Sequence, residues 1–158
     1  MPHKIETSLT GAAGEHLVLS RLLSRGVLPA QAPRGARKAD ILVNFLEGGS
    51  PALIQVKARQ SGSDGGWHMS EKHESQKEND LYFCFVNFEP DSPTVHVIPA
   101  AIVAEVVSKD HQIWLDTPGR QGQAHNASPM RRIKPKSSGQ ENGWMDKYLE
   151  NWSQITDR

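Results

Sequence analysis

One cysteine, Cys84, stands in a chain of 158 residues, so the chain cannot close a disulfide on itself and offers no set of thiolates to a metal. It lies inside the run Leu81-Tyr82-Phe83-Cys84-Phe85-Val86 and reads as a buried thiol. Histidine offers no zinc site either: His68 and His73 are five residues apart, off the i, i+4 spacing that sets two imidazoles on one helical face. No apolar stretch is long enough to span a bilayer, and the opening Met1-Pro2-His3-Lys4-Ile5-Glu6 lacks a hydrophobic secretory region, which predicts a cytoplasmic protein with no membrane partner. Neither sign of charge is in excess, because 18 basic and 18 acidic side chains cancel, so a polyanionic partner must be argued from local clusters. No repeat at a period of about 20–50 residues is visible. No Gly-rich dinucleotide loop or P-loop appears, which argues against a nucleotide-dependent metabolic enzyme. With 37% hydrophobic residues the chain suits a single domain, residues 1–158, around one modest core.

Residues Ser8 to Ser24 predict a helix whose apolar arc is Leu9, Ala12, Ala13, Leu19, Leu22 and Leu23, ended by Gly26. Glu15 falls on the flank of that arc between Leu19 and Leu22, so its carboxylate leans inward. There it needs either a cationic partner, such as Arg21 or Arg37, or a metal. Val27 to Ala32 is a short extended piece, and Pro33 to Lys38 is a polar loop that leads into Asp40. The loop after Lys57 is rich in Gly and Ser and ends in Trp67-His68; Trp67 either closes a core or stacks on a base. Glu71 to Asp80 is polar enough for a short surface helix. Leu81 to Phe88 reads as a central strand covered on both faces, Thr94 to Ile98 as its neighbour, and Pro99 as the start of a helix over Ala100 to Ser108. Ile113 to Leu115 reads as a short strand or apolar anchor. Residues 116–143 read as a long loop, and Trp144 to Ile155 as a final helix docking on the core through Trp144, Tyr148, Leu149 and Trp152.

The chain is organised around Ala39 to Ala58. Two apolar runs alternate with period two across a Gly-Gly-Ser-Pro breaker, the pattern of a β-hairpin. Leu53, Gln55 and Lys57 share one face of the second strand, while Ile54, Val56 and Ala58 share the other. Asp40 opens the first strand, so antiparallel pairing gathers an acid, an amide and an ammonium away from the turn. They are either a sheet-edge ion pair with an exposed amide or a catalytic cluster. Two basic stretches without an acid, Arg21 to Lys38 and Arg120 to Lys136, are either solvated surface or contacts to phosphate.

The order helix-Glu15, strand-Asp40, strand-Gln55-Val56-Lys57 resembles the PD-(D/E)XK nuclease superfamily, in the branch of restriction endonucleases and Holliday-junction resolvases. The departure is Gln55, where most members carry an acid. The whole chain is also similar to a group of small bacterial proteins through Gln55-Val56-Lys57, Trp67 with Glu71-Lys72-His73-Glu74, Ile98-Pro99 and Asn151-Trp152, a likeness that bears on the fold and not on substrate. The resemblance implies an α/β fold with an α-β-β-β-α-β core and a mixed central sheet flanked by helices. It implies a metal-dependent nuclease, with Mg2+ or Mn2+ held by Asp40, Gln55 and Glu15 and with Lys57 orienting the attacking water. Nucleic acid, DNA foremost, is the expected partner, contacted by Arg34, Arg37, Lys38, Arg59, Trp67 and His68, and a homodimer is left open. The alternative is a catalytically silent nucleic-acid-binding or protein-interaction module on the same fold.

Overall fold

The computed structural model describes residues 4–36, 38–61 and 65–158. Helix α1 spans Thr7–Leu23, and strands β1, Leu28–Gln31, β2, Ile41–Asn44, and β3, Ala52–Gln60, follow it. They pair as an antiparallel meander in which Ile41 faces Ile54 and Val43 faces Ala52. Strand β4, Trp67–Ser70, and a 3-10 turn, Glu71–Glu74, then carry the chain over to β5, Leu81–Phe88. Strand β5 runs parallel to β3 along its whole length, and β6, Thr94–Pro99, returns antiparallel beside it. The result is a five-stranded mixed sheet in the order β1-β2-β3-β5-β6. Helix α2, Ala100–Asp116, packs across β5, β6 and the 3-10 turn.

Each face of this sheet has its own apolar layer. Ile54, Tyr82, Cys84 and Val86 join Val18 and Leu22 of α1 on one face, while Phe83 and Phe85 join Trp67, Val103, Val107 and Ile133 on the other. Strand β5 is apolar without alternation because both of its faces are covered. Cys84 is fully buried there, and burial pushes its thiol pKa well up, which holds it protonated and inert.

Helix α1 buries Thr10, Gly14, Val18 and Leu22, a line at i, i+4 spacing, while Leu9 and Leu23 are exposed at 61% and 57%. The expected arc of large apolar residues is therefore rotated, and the reason is Gly14. A Cβ on Gly14 would stand 2.6 Å from the Ala58 Cβ and 3.4 Å from Val56 Cγ1, so the helix lies nearly backbone-to-strand against β3. Gly14→Val should overpack this contact and cost about 1–3 kcal/mol, read from the denaturant midpoint; an unchanged midpoint would show that the close approach is not needed.

Three other expectations change. Ile113 to Leu115 belong to α2, not to a strand. The stretch 116–143 contains a strand, β7, Met130–Ile133, which pairs antiparallel with β4. The stretch from Trp144 to Ile155 is not one helix but a 3-10 turn, Asp146–Tyr148, and a short helix α3, Ser153–Thr156. The open edge of β6 explains the break. Leu149 bridges to His96, and Glu150, at φ 48°, donates its backbone N–H to Val95 O at 2.7 Å and accepts the Val95 N–H on its carboxylate at 3.0 Å. Strand-edge pairing uses the backbone groups a helix would need. No helix among the described residues is long and apolar enough to cross a membrane.

Candidate functional site

Strands β2 and β3 separate at Asp40. Its backbone N–H still donates to Ile54 O at 2.8 Å, but its carbonyl turns to Ala32 N–H, also at 2.8 Å. The next β3 donor, Val56 N–H, is instead taken by the Asp40 carboxylate at 2.7 Å. An acid side chain thus fills the place of a strand carbonyl and props the fork open. Beyond it β3 continues to Gln60 with no β2 partner.

Two elements approach the fork from opposite faces of β3. On the Val56–Ala58 face, the Gly14 contact brings Glu15 to the fork. Burial and then the Asp40 charge raise the Glu15 carboxyl pKa above the ordinary range, with His16 and a hydrogen bond from Gln31 acting the other way. No described Arg or Lys forms an ion pair with Glu15; Arg21 lies 3.8 Å from Glu150 instead. On the other face Lys57 is half-buried, and loss of hydration lowers its ammonium pKa. Asp40 opposes that shift and Lys72 adds to it. Asp40 is therefore the common neighbour of Glu15 and Lys57, and the unpaired edge of β3 lets side chains from both faces reach it.

Gln55 is buried at 6% exposure. Its NH2 donates to Lys38 O at 3.3 Å, and its Oε1 lies 3.2 Å from His73 Nε2. His73 was not expected: it lies in a polar run, yet it is 2% exposed, its ring edge-on to Phe83 at 5.5 Å. Its Nδ1 accepts the Ser70 backbone N–H at 2.8 Å, so Ser70 and His73 close a capping box around the 3-10 turn. Burial, followed by Lys57 and Lys72, lowers its pKa from 6.5 to about 4.

A stability prediction follows by linkage. The unfolded chain takes up a proton near pH 6.5 that the folded imidazole refuses until about pH 4. Stability supplied by neutral His73 is complete above 6.5 and falls as pH drops through that window, by on the order of 3 kcal/mol in full. His73→Gln should flatten this part of the melting-temperature profile between pH 6.5 and 4; an unaltered slope would assign the acid sensitivity elsewhere.

The expected nucleic-acid contacts divide. Arg34 is exposed in a turn, and His68 is exposed on β4 opposite Arg132. Arg59 shares the Gln55–Lys57 face, donates to Asn87 Oδ1 at 3.0 Å and covers Trp67 at 4.0 Å. Lys38 pairs with Glu78 at 2.7 Å. Arg37 lies outside the described residues. Trp67 is a correction to the base-stacking reading: at 2% exposure, with its indole N–H on Val86 O at 2.9 Å and its ring against Phe85, it closes the core.

No three His, Cys, Asp or Glu side chains gather as a metal cluster among the described residues. The oxygen donors at the fork are the carboxylates of Asp40 and Glu15, while the Gln55 amide oxygen, on the other face of β3, is on His73. Mg2+ commonly takes one or two carboxylates, filling its shell with water and substrate phosphate, and two neighbouring acids, one with its pKa raised by burial and then by the other's charge, suit a cation between them. The two carboxylates fit a hard divalent ion.

No family model matches this chain, and no curated protein does. Among solved structures it is similar to a bacterial homing endonuclease, I-Ssp6803I, with a TM-score of 0.55 at 15% identity, covering 98% of this chain and 94% of that one. At that identity the likeness is one of fold: a nuclease-like α/β architecture with a mixed five-stranded sheet between helices.

Proposed function

We propose that the chain is a metal-dependent nuclease of the PD-(D/E)XK kind with a Gln-x-Lys strand, hydrolysing phosphodiester bonds of nucleic acid, DNA foremost, and acting as one domain. The observation that carries this reading is the fork, where Asp40 stands between Glu15 and Lys57 at the end of a hairpin whose next β3 side chain is Gln55. The nuclease-like fold supports it. Glu15 and Asp40 would hold Mg2+ or Mn2+, joined by the Gln55 oxygen once its amide turns from His73; the ion would supply positive charge to the phosphate oxygens and a lower pKa to an attacking water.

Asp40 fixes the position of the centre, because its second role as acceptor for Val56 N–H leaves its carboxylate little freedom. Lys57 acts as a point charge on the same strand face as Gln55, orienting the water and offsetting negative charge as the bond breaks. Half-burial strengthens that action, since charges interact more strongly where water is displaced. Arg34, Lys38, Arg59 and His68 are the proposed phosphate contacts, and Lys38 would exchange Glu78 for phosphate.

The neutral Gln55 favours one second reading, a silent nucleic-acid-binding module in which Asp40 and Lys57 are only an ion pair. Incubation with plasmid, branched DNA, single-stranded DNA and RNA in Mg2+ or Mn2+ separates the two. Cleavage abolished by chelation supports the nuclease, whereas metal-independent binding without cleavage supports the module.

A further inference from the structure

The second half of α2 and the strand β7 border a cavity of about 350 Å3, the size of a small-ligand site. One wall is aromatic. The Trp114 indole, 43% exposed and outside both core layers, stands in a run of near-parallel rings, with the His111 imidazole at 5.6 Å and 23° and the His125 imidazole at 4.0 Å and 28°. It already accepts planar heteroaromatic rings. His125 comes from residues 123–128, which belong to no helix or strand, so a ring entering beside Trp114 breaks no regular structure. The other wall is cationic, with Arg131 and Arg132 of β7 and Lys134 just after it. Arg131 is only 9% exposed; its Nε donates to Glu74 and its Nη1 to Ser128 O and, at 2.9 Å, to Met130 O, while its Nη2 makes no hydrogen bond among the described residues. Glu74 offsets that charge. Asp110 also lines the cavity, but its carboxylate accepts Ser137 Oγ–H at 2.9 Å and Ser138 N–H at 3.2 Å, which leaves Arg132 and Lys134 as the side chains free to meet an anion. Both belong to the second acid-free basic stretch, for which the fork has no use.

We propose that this cavity takes one unpaired nucleotide, its base against the Trp114 wall and its phosphate among Arg131 Nη2, Arg132 and Lys134. A flat π-face joined to an anion is the ligand that matches both walls, since bases stack on aromatic side chains whatever their identity and guanidinium groups fork onto phosphate oxygens. Met130, 57% exposed at the cavity, adds a soft apolar edge. A base inside a duplex has both faces covered by its neighbours, so the nucleotide must come from a single strand or be drawn out of the stack. The same chemistry is carried by a free mononucleotide. Of the function proposed above, this inference uses only nucleic acid as the partner and asks nothing of the metal. The 3-10 turn Glu71–Glu74 links the two places, with His73 on Gln55 and Glu74 on Arg131.

The test measures binding in chelator, without metal, of a fluorescein-labelled single-stranded DNA oligonucleotide, of the same oligonucleotide paired into a duplex, and of deoxyadenosine monophosphate. Trp114→Leu keeps bulk and loses the ring, Trp114→Phe keeps a ring, and a double variant, Arg132→Gln with Lys134→Gln, removes the free cations. Trp114→Leu should weaken single-strand binding about 5–150-fold, the scale of losing one stacked base, Trp114→Phe should restore most of it, and duplex binding should be equal in all three proteins. The double variant should lower the slope of log affinity against log salt for the single strand by about 1.4, two phosphate contacts on a single strand. Deoxyadenosine monophosphate that competes with the strand and depends on Trp114 in the same way makes the free nucleotide a ligand too; its failure to compete assigns the site to strands, and the base-plus-phosphate chemistry holds in both cases. Equal single-strand affinity in wild type and Trp114→Leu, an equal loss for the duplex, or no binding of strand or mononucleotide by the wild type overturns the proposal. Because these measurements contain no metal, their failure leaves the fork untouched, and loss of cleavage at the fork leaves this site standing.

Discussion

Lys57→Met should lower nucleic-acid cleavage by about 10²–10³-fold, the scale of removing one preorganised electrostatic group from a hydrolytic centre, while leaving the melting temperature unchanged or raised. The two halves come from the same observation. Burial lowers the Lys57 pKa, and the attraction of Asp40 only opposes that shift. A base whose folded pKa lies below its unfolded value binds its proton less readily when folded, so at neutral pH its charge works against folding. Methionine keeps an unbranched chain of similar length and removes that cost. A fall in stability alongside activity would instead mark Asp40–Lys57 as a structural ion pair, as in the silent-module reading. Thermal melts beside the cleavage assay decide between them.

Asp40 should divide under two substitutions, because it has two tasks. Asp40→Ala removes the acceptor of Val56 N–H and leaves a partly buried backbone donor unmade, a loss of about 1–3 kcal/mol, together with cleavage. Asp40→Asn can still accept that N–H through its amide oxygen, so most of the stability should remain. It removes the charge, however, and with it the ligand. Cleavage should be lost in both variants, and the Glu15 pKa should fall toward 4.5 in both, since one of its two raising influences has gone. Denaturant midpoints give the stability, and a carboxyl titration by NMR gives the Glu15 shift. Full cleavage by Asp40→Asn would remove Asp40 from the chemistry.

Much of the site was legible because its signal is local. The period-two alternation of Leu53, Gln55 and Lys57 is a backbone property, and the Gly-Gly-Ser-Pro break sets the antiparallel return that brings Asp40 alongside. Glu15 was placed on an inward-leaning flank, and its raised pKa agrees with partial burial. What escaped depended on contacts far apart in sequence. The buried line of α1 runs through Thr10 and Gly14, and a search for large apolar residues passes over small ones, although only a residue without a side chain permits the approach to Ala58. His73 looked like surface because its neighbours are charged; its burial is set by β5 and α2. The one local trace was Ser70-x-x-His73, which has the spacing of a capping box with histidine in the usual Glu or Gln position. Trp144 to Ile155 read as helical from its aromatic spacing, but the spare edge of β6 claims Leu149 and Glu150.

The claim that Glu15 and Asp40 share a divalent cation at the β2–β3 fork is tested most directly by titrating Mn2+ and Mg2+ into wild type, Asp40→Asn and Glu15→Gln by calorimetry. The account predicts a binding isotherm in the wild type that is lost in Asp40→Asn and weakened in Glu15→Gln, with all three proteins folded. Binding of equal strength in all three, or none in the wild type even with a nucleic-acid oligonucleotide present to complete the shell, would contradict it.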